Sequence, residues 1–298
     1  MGDNIFVQTQ CFFCKQDKDR VLYPARLNRD SFTGYTFSAR RERKREHYQI
    51  VACKECTLVR SSPIIDEGKL NTLYADSQFI FSQEAPFVCQ SYAVLVRKLI
   101  DKYTGKVESL LEIGCSTGFF LEKALEMGIT DVVGFEPSRD CYEHARNHIK
   151  DRIINDIYKP DLLGDKKFDL ICSFHVLDHL RDPQKTLSSM AEGLNPGGHV
   201  LLVCHDVDSW SAKLLGDYSP IFDVEHIYLF SKKTITLLLE SVGLDVVELG
   251  LFVNTYPLRY WMRMLPITNK IVRLMPKFLK NIPISVKAGN LYVYGQKG

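Results

Sequence analysis

The chain has 298 residues, 45% of them apolar and 25% charged, with a formal net charge of +2. This suffices for one α/β domain of ordinary size plus a smaller module, and it excludes a disordered or fibrous chain. No run of about 18 uncharged apolar residues occurs, so no spanning helix is expected, and Met1-Gly-Asp-Asn lacks the basic start and apolar run of a secretory signal.

Nine cysteines are present, most of them scattered through apolar stretches, which fits reduced thiols in a cytoplasm. The first four differ. Cys11-Phe-Phe-Cys14 and Cys53-Lys-Glu-Cys56 form two C-x2-C knuckles. Each knuckle brings two thiolates together, and two knuckles complete a closed tetrahedral S4 set for structural zinc. A zinc-ribbon-like module over 1–63 is predicted. The 38 residues between the knuckles leave room for a hairpin with an inserted loop, the charge run Arg40 to Glu46. Such a module buries little apolar area, and metal binding would supply the missing stability. His47 is an alternative ligand or a solvated loop residue.

Residues 64–104 read as a helical linker or cap. Leu70 to Tyr74 and Phe87 to Tyr103 carry helical spacing, with Tyr92, Leu95, Val96, Leu99 and Ile100 near one face. Phe79, Phe81 and Tyr92 either line a pocket or belong to the core.

From residue 105 onward, strand and helix alternate: strands at 109–114, 131–136, 152–156, 168–174, 198–205, 244–251 and 290–296, and helices at 118–128, 138–149, 183–194 and 231–242. Such alternation predicts a mostly parallel sheet with helices on both faces and a ligand site outside the carboxyl ends of the strands. Leu110-Leu-Glu-Ile-Gly-Cys-Ser-Thr-Gly118 is a buried strand, a tight turn and a helix start. The turn admits close approach to the backbone, and the helix start attracts negative charge. A dinucleotide site prefers G-x-G-x-x-G. Here only Gly114 and Gly118 are present, and Glu112 precedes them, a poor neighbour for a pyrophosphate and a good one for the cationic amine of S-adenosylmethionine. Glu136 closes the second strand 18 residues after Gly118, placed to grip a ribose diol, and Asp156 closes the third, near the adenine.

With these residues in place, the chain resembles the class I S-adenosylmethionine-dependent methyltransferases over about 105–250, with a last strand at 290–296. Phe168 to Pro183 and Leu194-Asn-Pro-Gly-Gly-His-Val-Leu-Leu-Val203 also match. The family usually has glycine where Ser116 stands. The resemblance implies a seven-stranded Rossmann-like sheet over 105–298. It implies cofactor contacts from Glu112, Gly114, Cys115, Ser116, Gly118, Glu136, Pro137, Asp156, Ile157, Phe174 and His175.

The acceptor side is expected from two clusters. In His175-Val-Leu-Asp178-His179 a helical turn would put the three polar side chains on one face, as a general base or as a metal site. Some quinone-biosynthesis O-methyltransferases that this chain resembles carry an acid-x-x-acid-His metal cluster here, from which the first-position histidine departs. His179 is alternatively a buttress of the loop. Glu225-His226, before a helix N-capped by Ser231, is an acid and an imidazole that can polarise each other. A similar Glu-His-x-x-x-Phe-Ser pattern occurs in bacterial sugar methyltransferases, including zinc-bearing C-methyltransferases, where it contributes to the active site. His226, Glu225, His175 and His179 are therefore the catalytic candidates, with His205 and Asp206 behind them.

Residues 249–298 hold eight Lys or Arg and no Asp or Glu, against 30 basic and 36 acidic side chains before them. A helical basic insertion over about 254–289 is predicted. It is either packed on the core with solvated bases, or laid on an anionic membrane surface, or turned to a phosphate-bearing substrate or nucleic acid. The expected reaction is methylation of a sugar, nucleotide-linked sugar or related metabolite of surface-glycan or secondary-metabolite synthesis. RNA methylation and a non-catalytic cofactor-binding role are the alternatives. Ser173-Phe174-His175 lacks the motif with which base-amino methylases grip a flipped base.

Overall fold

The computed structural model describes residues 5–16, 18–28, 32–38, 46–263 and 275–298. Residues 40–45 of the charge run Arg40 to Glu46 and residues 264–274 of the basic insertion lie outside them.

The cysteine module is built on short strands: β1 (Phe6–Val7), β2 (Asp19–Tyr23), β3 (Ile50–Cys53), β4 (Val59–Ser61) and β5 (Ile64–Ile65). β2, β3 and β4 form an antiparallel sheet, and β1 pairs with β5. Arg60 in β4 is fully buried and makes a two-pronged ion pair with Asp19, at 2.6 and 2.8 Å. Its remaining donors reach the carbonyl and hydroxyl of Thr9. Two helices follow, α1 (Glu67–Ala75), N-capped by Asp66, and α2 (Ala85–Leu99). Tyr92 of α2 stacks on Phe174 at 4.1 Å, and Phe81 is likewise buried, so both are core residues.

The central sheet contains β6 (Ser109–Ile113), β7 (Asp131–Phe135), β8 (Ile153–Ile154), β9 (Phe168–Phe174), β10 (Leu194–His205), β12 (Leu244–Leu251) and β15 (Asn290–Lys297). Its order is β12-β15-β10-β9-β6-β7-β8, with β15 antiparallel to both neighbours and the rest parallel. The near-continuous apolar runs of β6 and β9 are what strands buried on both faces require. Chain connections leave β6 towards β7 on one side and return to β9 on the other, which opens a crevice at the carboxyl ends of these strands. The helices α3 (Phe119–Glu126), α4 (Arg139–Glu143), α5 (Asn147–Lys150), α6 (Pro183–Glu192), α7 (Trp210–Leu215) and α8 (Lys232–Glu240) cover the sheet. Ser231 caps α8 in a reciprocal arrangement with Thr234, as its sequence position predicts.

Three elements depart from expectation. The predicted helix 138–149 is two short helices, because the chain extends at Arg146. The predicted strand 198–205 begins at Leu194 and carries a register shift before His199, across Asn-Pro-Gly-Gly. The basic insertion is not wholly helical: β13 (Asn254–Pro257) pairs with β14 (Pro283–Val286), and among the described residues it also holds short helices at Leu258–Arg263 and Lys277–Lys280. Threonine and tyrosine in β13 favour that extended pairing. No described helix is long and apolar enough to cross a membrane.

The last short strand, β11 (Tyr228–Leu229), does not join the central sheet. It adds to the free edge of β4 in the cysteine module.

Candidate active site

The glycine turn is held by three left-handed residues, Gly114 (φ 79), Ser116 (φ 53) and Gly118 (φ 73). Gly114 has a second reason to lack a side chain: a Cβ there would lie 2.3 Å from Val176. The turn is thus packed under the 175–179 segment. Ser116 occupies a conformation that favours glycine, at a cost of roughly 1 kcal/mol or more, which explains the family's usual residue there. Cys115 is wholly buried and its N–H donates to the Phe135 carbonyl.

Glu136 follows β7 and folds back on this turn. Its two oxygens accept from the N–H groups of Ser116 (2.8 Å) and Ser138 (2.7 Å). Burial pushes its carboxyl up to about 7 despite those bonds. Glu112, in β6, is also buried, and its Oε2 has no hydrogen-bond donor. Burial and then the charge of Glu136 push it well above the carboxylate range. A sheltered pair of carboxylates, one with a vacant oxygen, is short of positive charge. The amine and sulfonium of S-adenosylmethionine fit that deficit, and the residues present are compatible with the group.

The other expected cofactor residues are less uniform. Pro137 follows Glu136 and is half-buried. Asp156 sits at the rim, where it accepts from the Ile157 N–H (2.8 Å) and pairs with Lys159 (2.5 Å), and Ile157 is exposed. Phe174 is locked in the core between Tyr92 and Phe120.

On the acceptor side, the expected single helical turn is replaced by a left-handed His175 (φ 57) and a short turn at Leu177–His179. Asp178 is fully buried and is the centre of a histidine cluster. His205, the last residue of β10, donates Nδ1–H to one Asp178 oxygen. Burial alone would raise Asp178, but His205, His179 and His226 hold it well below the carboxylate range. The His226 ring lies 4.2 Å from that of His205 and 5.0 Å from that of His179, and His175 lies 5.1 Å from His205. Nδ1–H of His226 donates to the Ile221 carbonyl (2.7 Å). The carboxylate at the centre of the imidazoles is therefore Asp178 rather than the neighbouring Glu225. Two sets here, His175/Asp178/His205 and Asp178/His179/His226, have donor atoms close enough to hold a metal ion.

Two members are invisible as site residues in the sequence. Tyr74 of α1 hydrogen-bonds His179 Nδ1 (2.9 Å) and the Glu225 carbonyl (3.4 Å). Asn290 of β15 reaches His175 Nε2 (3.4 Å). Tyr74 carries helical spacing, which marks it only as a packing residue. Asp206, the weaker candidate, accepts from Asp208 N–H and serves the loop locally.

The Sγ atoms of Cys11, Cys14, Cys53 and Cys56 lie within 4.8 Å of one another, able to hold one metal ion. Left-handed Lys15 (φ 52) and Thr57 (φ 69) close the two knuckles. His47 is buried with Nδ1 on the Tyr48 carbonyl, so the solvated-loop reading fails.

The profile of the methyltransferase domain family matches residues 86–249, more than half of the chain. The chain belongs to this family. Among curated proteins it is similar to the tRNA U34 carboxymethyltransferase of Nautilia profundicola, 37% identical over 106 residues, covering 32% of this chain and 33% of that protein. It is also similar to the protein of the same description from Aliarcobacter butzleri, 29% identical over 151 residues, covering 48% and 49%. The chain thus spans between a third and a half of the length of these relatives. A solved S-adenosylmethionine-dependent methyltransferase from Clostridium acetobutylicum superposes with a TM-score of 0.49 at 14% identity, covering 70% of this chain and 92% of that one.

Proposed function

We propose that this protein transfers the methyl group of S-adenosylmethionine to a small-molecule acceptor, a sugar, nucleotide-linked sugar or related metabolite. The observation that carries the reading is the buried Asp178 with its imidazoles, seated beside the glycine turn through the contact of Val176 with Gly114. Bound S-adenosylmethionine would supply an activated methyl group. Glu112 would hold its amine and Glu136 its ribose, with Asp156 at the adenine end.

The chain's own residues manage the acceptor proton. With Nδ1–H of His226 committed to Ile221, the basic lone pair lies on Nε2. His226 removes the proton from the acceptor hydroxyl, amine or activated carbon as that atom takes the methyl. Ionised Asp178 then stabilises the positive charge on the imidazole cluster. Tyr74, bonded to His179 and to the Glu225 carbonyl, positions His179 beside His226, and His179 in turn orients the acceptor. The four cysteines would hold a zinc ion, and because an S4 set leaves no open coordination position its role would be structural.

A second reading, methylation or carboxymethylation of tRNA, is favoured by the descriptions of the curated relatives. Radiolabelled methyl transfer to a panel of nucleotide sugars and to bulk tRNA tests both. Incorporation into tRNA alone would overturn the small-molecule reading.

A further inference from the structure

A cleft of about 590 Å³ opens between the sheet of the cysteine module and the segment following β10. This lies in the range of small-molecule pockets, about 300–1,000 Å³. Its wall includes Tyr23 and Phe222, whose rings meet edge to face at 5.0 Å, with Leu22, Val59 and Val207 beside them. The knuckle residues Cys53, Lys54 and Thr57 form another part of its lining. Arg20, Lys54 and Lys213 stand against a single carboxylate, Asp208, which pairs with Lys213 at 3.3 Å. Arg20 and Lys54 are exposed and form no ion pair among the described residues.

Two unpaired cations beside an aromatic and aliphatic wall match a ligand that is anionic at one end and a flat heterocycle at the other. Inorganic phosphate alone would leave the apolar wall uncovered. The guanidinium of Arg20 offers the forked geometry that phosphate oxygens accept, and Lys54 adds a point charge. The cleft shares the 221–231 loop with the imidazole cluster: Phe222 and Ser231 line the cleft, while His226 between them enters the cluster. We propose that this cleft is a nucleoside-diphosphate subsite that holds the anionic handle of the acceptor, with Arg20 and Lys54 on the phosphates and Tyr23 and Phe222 against the base. The proposal rests on the small-molecule reading above. It also assigns the cysteine module a task, since its second knuckle shapes the site.

Calorimetry on the full chain without S-adenosylmethionine tests it, using uridine diphosphate, inorganic pyrophosphate and a single-stranded oligoribonucleotide as probes. Uridine diphosphate should bind more tightly than pyrophosphate. The pair R20E/K54E should weaken it about tenfold or more, and R20K/K54R, which keeps both charges but moves the guanidinium fork, should weaken it less. S-adenosylmethionine affinity should be the same in all three proteins. Failure of uridine diphosphate to bind, or unchanged affinity in R20E/K54E, would overturn the assignment. Equal affinity for pyrophosphate would remove the nucleoside part of it. Binding of the oligoribonucleotide alone, lost in R20E/K54E, would give the cleft to RNA. Since no methyl transfer is read, a negative result here leaves the transfer reaction standing, and an inactive enzyme that binds uridine diphosphate leaves the subsite standing.

Discussion

Ser61 of the cysteine module donates its hydroxyl to the main-chain carbonyl of His226 at 2.8 Å. Its N–H donates to the carbonyl of Ile227, also at 2.8 Å. With the pairing of β4 and β11, these bonds tie the loop that carries His226 to the sheet whose strand β3 ends at Cys53 of the four-cysteine cluster. The small module therefore bears on the loop that carries His226 rather than hanging from the domain.

If His226 is the base, His226→Ala should lower turnover by about 10²–10⁴-fold while calorimetric affinity for S-adenosylmethionine is unchanged. Tyr74→Phe, which removes the hydroxyl on His179, should lower turnover less. Retained turnover in His226→Ala would move the proton transfer to another residue.

The proposed grip of Glu112 and Glu136 on S-adenosylmethionine makes cofactor affinity their readout. Glu136→Ala should weaken S-adenosylmethionine about tenfold or more. Glu112→Gln keeps the shape but cannot ionise beside a cationic amine and should also weaken binding. Wild-type affinity in both variants would place the cofactor elsewhere.

Glu136 also gives the free protein a pH signature. Its carboxyl is raised from 4.5 to about 7 in the folded state. Below 4.5 both states hold the proton and nothing is lost. Between 4.5 and about 7 the unfolded chain releases a proton that the folded protein keeps, so stability falls as pH rises, and the cost is complete above about 7. The loss should be at most about 3 kcal/mol. Denaturant melts should show a flatter slope over this window for Glu136→Gln, and an unaltered slope would exclude Glu136 as its source.

Metal analysis should find about one zinc per chain, lost in Cys53→Ser. Because β4 carries Ser61, the same variant should reduce turnover while cofactor affinity holds. A zinc content of zero in freshly purified wild type would contradict the structural-zinc assignment.

Arg60→Ala leaves Asp19 without its guanidinium and should cost about 3–5 kcal/mol in chemical denaturation, as for breaking a buried ion pair. A loss under about 1 kcal/mol would show that Asp19, part-exposed, is satisfied by water.

Local signals carried much of this protein. Apolar runs closed by Glu112, Glu136 and His175 located the sheet and its ligand end, because strand period and turn chemistry are short-range properties. The C-x2-C pairs located the thiol cluster for the same reason. Only tertiary structure decided that Asp178, with His205 from the next strand, is the centre of the imidazoles, that Tyr74 joins them from α1, and that β11 completes the module's sheet. These contacts join residues separated by between 27 positions, Asp178 to His205, and 170, Val59 to Leu229. No periodicity along the chain records such separations. They follow from the order in which strands lie in the sheets and from which free edge a short strand finds to satisfy its backbone.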